Sequence, residues 1–340
     1  MTTPAQTDTR ESPEEILFDT PDNLKPKEFQ AGFLTTKDHK KLRYALVPSH
    51  PEHKQGTVIL LHGRNECIEK YYETIDDLHM RGFHVATMDW RGQGHSERLI
   101  KDKNRGFVRR FKDYTDDLEQ FLHEIVLKNC PAPFYILAHS AGGLITLSAM
   151  AHLAPHIERI VLAAPLLGFP SKKLSDTSLR RLSRLMQFSG LGKIYARRGV
   201  PPGNKREFTG NVLTCDEQRY QRNQQIIYDR PSLGLAGPTF TWVFNTLRAA
   251  YKLSLPKNLN APKIPTLFIL AGADTVVSSR AAEDYARKIR GATSITIDGA
   301  RHELMQEDDH YRQQFWAAFD AFIHENPKQT DLTPAKPQPK

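Results

Sequence analysis

Strand-like and helix-like patterns take turns along most of this chain, and one interruption of about ninety residues breaks the rhythm. Residues 41–47 (KLRYALV) alternate apolar and polar as a half-buried strand does. Residues 57–63 (TVILLHG) form a continuous apolar run, the pattern of a strand covered on both faces. A helical pattern over 71–81 is followed by a strand over 83–90 (FHVATMDW). Residues 111–129 place Tyr114, Leu118, Phe121, Leu122 and Ile125 on one helical face. Next come a strand at 134–140 (FYILAHS), a helix at 143–152 and a strand at 157–165. The alternation resumes at 265–274 (PTLFILAGAD) and ends with a helix at 280–289, a short strand at 294–297 and a helix at 311–324.

Such alternation predicts an α/β fold: a mostly parallel central sheet with helices on both faces. In sheets of this kind, function collects beyond the carboxyl ends of the strands. The interruption, 166–258, reads as an inserted, mainly helical cap between two parts of one core, 27–165 and 259–325. The polar, proline-containing residues 1–26 and the final 326–340 (NPKQTDLTPAKPQPK) are expected to be disordered tails.

At 340 residues the chain can bury a core without disulfide or metal staples. Its three cysteines, Cys67, Cys130 and Cys215, have neither a disulfide framework's pattern nor zinc-site spacing. No apolar run approaches the length of a membrane span, and the first residues lack the basic start and apolar stretch of a secretory signal. Cytoplasmic residence is therefore expected. The net charge of +8 is local. Between Ser171 and Arg206, ten Lys and Arg face only Asp176, so this window carries +9 and the remainder −1. Charge so confined points to a surface or a ligand.

The strongest chemical signal is ILAHSAGG, residues 136–143. It places Ser140 in a sharp strand-to-helix turn, which needs small residues two before and two after, here Ala138 and Gly142. Alanine stands where glycine is usual. A helix-capping serine would be the bland alternative. The neighbouring signals favour a nucleophile. LLHGRNE, residues 60–66, closes a buried strand and opens a polar loop. An acyl-transfer site needs two N–H donors for its oxyanion. The residue after the nucleophile, Ala141, supplies one, and the loop supplies the other, assigned to Arg64. Asp274 (LAGADTVV) and His302 (DGARHELM) each follow a strand, in the chain order serine, acid, histidine. His302 is expected to take the serine proton and Asp274 to fix the imidazole tautomer.

With these residues in view, the chain resembles α/β-hydrolases of the monoacylglycerol lipase and bacterial lysophospholipase branch. The shared stretches are LLHGRNECIEKYY, DWRGQGHSER, RGFVRRFKDYTDDL, YILAHSAGG, LAGADTVV and GARHE. The cap segments NVLTCDEQRYQRN and GPTFTWV resemble the bacterial lysophospholipases more. The resemblance implies nucleophile Ser140, acid Asp274, base His302, oxyanion donors Arg64 and Ala141, and hydrolysis of single-chain lipid esters. A lysophospholipid suits a cationic cap. Monoacylglycerol, a small carboxylic ester and acyl transfer are the alternatives, and a non-catalytic lipid-binding scaffold is the alternative of another class.

DWRGQGHSE, residues 89–97, lacks the Lys-Ser/Thr ending of a phosphate loop. Its glycines suit a tight loop pinned by Asp89 and Arg91. RGFVRRFKDY, residues 105–114, sets basic beside aromatic residues but leads straight into a helix, so no nucleic-acid partner is expected. No cofactor or metal is expected either. In SLRRLSRLMQF, residues 178–188, Leu179, Leu182, Leu185 and Met186 share a face that excludes Arg180, Arg181 and Arg184. Two arrangements fit. The apolar face packs on the core, or the helix lies on an anionic membrane, where the three arginines contact headgroups. The second would make the protein peripheral to the inner membrane face.

Overall fold

The computed structural model describes residues 16–50, 55–170, 174–259 and 264–324. Eight strands build the central sheet: β1 (Gln30–Thr35), β2 (Lys41–Val47), β3 (Thr57–Leu61), β4 (His84–Met88), β5 (Phe134–His139), β6 (Ile157–Ala163), β7 (Thr266–Ala271) and β8 (Ala292–Ile297). Their order is β1-β2-β4-β3-β5-β6-β7-β8. From β4 to β8 all neighbours are parallel, whereas β2 runs antiparallel to both β1 and β4. Every residue of β3 and β5 is buried, which is why these strands read as unbroken apolar runs. The edge strand β1 is different. Its sequence, QAGFLT, is half exposed and carries no apolar alternation to betray it.

Helices α1 (Tyr72–Met80), α2 (Phe111–Phe121), α3 (Ala141–Leu153), α7 (Ser279–Ala286) and α8 (Asp309–His324) belong to the core. After α2 the chain makes a π-helical turn at Leu122–Val126. Val126 of this turn is buried, and Ile125 packs partly buried against the core. Between β6 and β7 lie the cap helices α4 (Asp176–Phe188), α5 (Glu217–Asp229) and α6 (Phe240–Leu253). Ser175, Asp216 and Thr239 cap them by accepting the N–H groups of Ser178, Arg219 and Trp242. Helix α6 buries Trp242, Val243 and Leu247 against the core. Arg219 and Arg222 of α5 hold Glu73 of α1. Among the described residues no helix is long and apolar enough to cross a membrane.

The expected N-terminal tail needs correcting. Residues 1–15, like 325–340, lie outside the described set, but residues 16–26 are part of the packed structure. Ile16 and Leu17 are buried, and the Asn23 side chain donates to the Glu69 carbonyl at 2.8 Å. The physical reason is Arg43. Its guanidinium, wholly buried on β2, needs more acceptors than two carboxylates provide, and the Ile16 carbonyl accepts from it at 2.8 Å.

Arg43 meets Glu69 through two hydrogen bonds of 2.5 and 2.7 Å and Asp89 through one of 2.7 Å. Asp89 in turn accepts the N–H groups of Ile68 and His95. A Cβ on Gly94 would stand 2.1 Å from that carboxylate, so glycine is required in the DWRGQGH loop. Arg91 holds Asp117 and Asp38. The loop is thus a structural clasp. Arg43→Met should strand two buried carboxylates and lower stability by about 3–5 kcal/mol, read as an earlier urea midpoint. Unchanged stability would show that the cluster does not carry the fold.

Candidate active site

The apolar strand β5 runs into Ser140 at its carboxyl end, and α3 starts one residue later. Ser140 has φ 51° and ψ −114°, a conformation costly for any residue with a side chain. The turn is over-determined by its surroundings. The Ser140 N–H donates to the Ala163 carbonyl at 3.0 Å, and its own carbonyl accepts from Gly143 and Leu166. Crowding explains the small residues. A Cβ on Gly142 would lie 2.7 Å from the Leu61 and His62 carbonyls, and one on Gly143 would lie 2.8 Å from Pro165. Ala138, fully buried, fits where glycine is usual.

Asp274 follows β7, and His302 follows β8 through a short loop. The sheet order brings both to Ser140. His302 Nδ1 lies 2.7 Å from Asp274 Oδ2, and Nε2 lies 3.0 Å from Ser140 Oγ. A carboxylate only accepts, so Nδ1 carries the proton and Nε2 is left to accept from the hydroxyl. The other Asp274 oxygen accepts the N–H groups of Val276 and Val277 at 2.7 and 2.9 Å. Burial alone would raise the Asp274 pKa. The bond to His302 and these two N–H groups outweigh it and hold the carboxyl below its ordinary value. Of the other acids near the histidine in sequence, Glu303 pairs with Lys70 and Asp308 accepts the His310 N–H.

Ala141 is the first residue of α3, so its N–H has no intrahelical acceptor. The loop after β3 lies alongside, since a Cβ on Gly63 would come within 3.0 Å of Ser140 Cβ. Arg64 follows directly. Arg180, Arg181 and Arg184 lie elsewhere. Arg180 stacks on Tyr251 of α6 at 4.1 Å, Arg184 lies 5.4 Å from the Phe188 ring, and Arg181 is exposed. None of the three contacts the Ser140, Asp274 or His302 side chains among the described residues. On the same helix only Leu179 packs on the core, with Met186 half-buried. Leu182, Leu185 and Phe188 are 41%, 66% and 75% exposed, so the helix does not sink its apolar face into the core.

Sequence reasoning missed a second buried network beside the serine. Glu66 accepts from Gly63 N–H at 2.5 Å, Tyr71 Oη at 2.8 Å and Lys70 Nζ at 2.9 Å. His139 sits between it and the base loop, with Nδ1 3.1 Å from Glu66 and Nε2 3.1 Å from the His302 carbonyl. Both partners can only accept, so the ring donates from both nitrogens as an imidazolium. Burial would lower the His139 pKa, but the Glu66 charge overrides it and raises the pKa above the ordinary value. Glu66, Lys70 and His139 were visible as polar residues flanking the HG and HS pairs, but only contact identifies them as partners. Cys67 is buried against Ile226 and Leu233.

A pH-dependent stability follows. A raised histidine pKa contributes stability that is complete below about pH 6.5 and lost as pH rises through the raised value. His139→Leu should cost about 2–4 kcal/mol near pH 6, and its deficit against wild type should shrink toward pH 9. Urea titrations of both proteins across that range test this. A deficit that grows with pH would mean the ring is neutral.

Residues 52–309 match the family model described as serine aminopeptidase, S33. The chain is 33% identical over 271 residues to lysophospholipase L2 of Escherichia coli, covering 77% of this chain and 78% of that one. It is 28% identical over 298 residues to probable lysophospholipase L2 of Haemophilus influenzae, covering 88% and 93%. Among solved structures it resembles a soluble variant of monoglyceride lipase from Saccharomyces cerevisiae, with a TM-score of 0.69 at 18% identity, over 90% of this chain and 99% of that one.

Proposed function

Because the chain belongs to the serine aminopeptidase S33 family of α/β-hydrolases, we propose that it is a carboxylic ester hydrolase that cleaves the single acyl ester of a lysophospholipid. The observation that carries the reading is the unbroken relay from Asp274 through His302 to Ser140. The relatives named as lysophospholipases support the substrate class.

In this mechanism Ser140 Oγ attacks the ester carbonyl carbon while His302 Nε2 takes its proton. Asp274 stabilises the imidazolium that forms. The N–H groups of Ala141 and Arg64 receive the oxyanion. Collapse of the tetrahedral intermediate returns the proton to the departing glycerol oxygen and leaves an acyl-enzyme. Water, deprotonated by His302, then attacks the acyl carbonyl. The fatty acid leaves and Ser140 regains its proton.

The cap surface supports a location. Leu182, Leu185 and Phe188 face solvent on α4, the helix that also carries the exposed Arg181 and Arg184. Exposed apolar side chains sharing a helix with exposed arginines suit the headgroup region of an anionic bilayer, where single-chain lipids reside. The free thiols of Cys67, Cys130 and Cys215 suit the cytoplasmic side.

Ser140→Ala and His302→Ala should each cut fatty-acid release from lysophosphatidylethanolamine by roughly 10⁶-fold, and Asp274→Asn by roughly 10⁴-fold. Full activity in Asp274→Asn would reassign the acid. Full activity in Ser140→Ala would remove the hydrolase reading. Flotation with liposomes should require anionic lipid and be lost when Arg180, Arg181 and Arg184 become Glu. Flotation indifferent to both would reject membrane docking by the cap.

A further inference from the structure

Arg64 is placed in the oxyanion loop for its backbone, yet its side chain has unexplained features of its own. The guanidinium lies 5.6 Å from the Trp242 ring, beneath the cap helix α6. Its Nη1 atom is buried and has no hydrogen-bond partner. Among the described residues no carboxylate pairs with it. The nearest acid is Glu66, which is already committed to Gly63, Lys70, Tyr71 and His139. Its charge is also acted on unfavourably by the cations Arg206 and Arg197 and favourably by Tyr114. Burial, aided by the two arginines and opposed by Tyr114 and Glu66, pushes the Arg64 pKa down to about 10. A buried cation among like charges is costly, and the cost falls when an anion arrives.

Arg206, half-buried, is likewise without a carboxylate partner among the described residues. It donates to the Val200 carbonyl at 3.3 Å. It lines a cavity of about 80 Å³ between the cap and the loop after β3, together with Asn65, Lys70, Asn204, Tyr220 and Asn223. That space accepts several water-sized groups. The two acids on its wall, Glu66 and Glu303, are both taken up by Lys70.

We propose that the guanidinium groups of Arg64 and Arg206 bind the phosphate of the substrate's headgroup, and that Arg64 thereby sets the distance between phosphate and scissile ester. The chemistry of the two molecules matches. In arginine the backbone nitrogen and Cζ are separated by as many bonds as the ester carbonyl carbon and the phosphorus are in a lysophospholipid acylated at a terminal glycerol carbon. A substrate whose oxyanion meets the Arg64 N–H thus carries its phosphate at a chain length matching that of the same residue's guanidinium, which is planar and suited to two phosphate oxygens at once. Arginines on the exposed face of α4 cannot make this selection, because water and salt screen them. The inference rests on the lysophospholipid reading above and names the side chains that would enforce it.

The test is a ratio: kcat/KM for lysophosphatidylethanolamine over kcat/KM for monoacylglycerol of the same chain length, measured for wild type, Arg64→Gln and Arg206→Gln. Taking the ratio within each variant cancels any disturbance of the oxyanion loop. Labelling of Ser140 by a fluorophosphonate checks that each variant is folded. The ratio should fall roughly 10- to 100-fold in either variant, mostly through KM, as expected for a lost hydrogen-bonded charge contact. Glycerophosphate should inhibit wild type competitively, glycerol should not, and the inhibition should weaken in Arg206→Gln. That arm stands even if Arg64→Gln fails to fold. A wild type that prefers lysophospholipid while both variants keep the wild-type ratio overturns this proposal and leaves the proposed function intact. A wild type that releases fatty acid from monoacylglycerol alone overturns both.

Discussion

A buried charge without its counter-charge costs more than a single fold-stabilising contact returns, and residues 62–71 are held on both sides by such charges. On one side Glu69 closes onto Arg43, with Asp89 beside it. On the other, Glu66 and Lys70 close onto His139 and Glu303. Neither cluster touches the reacting atoms. Their effect is to fix one loop against two strands, and that loop carries the Gly63–Arg64 backbone beside Ser140. The Trp90 indole donates to the His62 carbonyl at 2.8 Å and completes the clamp. Oxyanion donors help only if they need not reorganise when charge develops, and a loop tied by this many buried ion pairs has little freedom to do so.

The serine turn is held in a complementary way. Its left-handed backbone is unfavourable locally, but β5 sits near the middle of the sheet between β3 and β6. Relaxing the turn would break ladder bonds on both sides. The His302 carbonyl, bonded to His139, links the base loop to the residue just before the nucleophile. The base is therefore positioned by the same strand end that positions the hydroxyl, and strain at Ser140 is sustained by contacts that also set the relay.

Much of this was readable from the residues because the signals are local. Continuous apolar runs mark β3 and β5, small residues mark the serine turn, and strand exits mark Asp274 and His302. What escaped was non-local or half-exposed. The edge strand β1 buries too little to show a pattern. Ile16, Leu17 and Phe18 are a short apolar run in polar company, and its place becomes visible only when the distant Arg43 bonds the Ile16 carbonyl and Leu17 joins the core. Glu66, Lys70 and His139 are ordinary polar letters until β5 and the base loop converge. The face of α4 was legible as amphipathic, but periodicity cannot say whether a face meets protein or solvent, and here its leucines meet solvent.

Two populations of arginine in this molecule answer different physical demands. On α4, Arg181 and Arg184 are exposed, and Arg180 is half-buried against Tyr251. Their field is screened within about 10 Å at ordinary salt, and it acts on the approach of an anionic surface without distinguishing one headgroup from another. Arg64 lies under α6 with a buried, unpartnered Nη1, and Arg206, within the cap, lines the cavity beside the loop after β3; screening is weaker there and a missing counter-charge matters more. Discrimination between a phosphate-bearing and a neutral lipid needs a site that is worse off empty than filled. Arg64, with its buried and unpartnered Nη1, and the half-buried Arg206 are the pair proposed to meet that condition, and the exposed arginines of α4 do not meet it. The fold thus sets apart two groups of cations that differ less in charge than in their access to water.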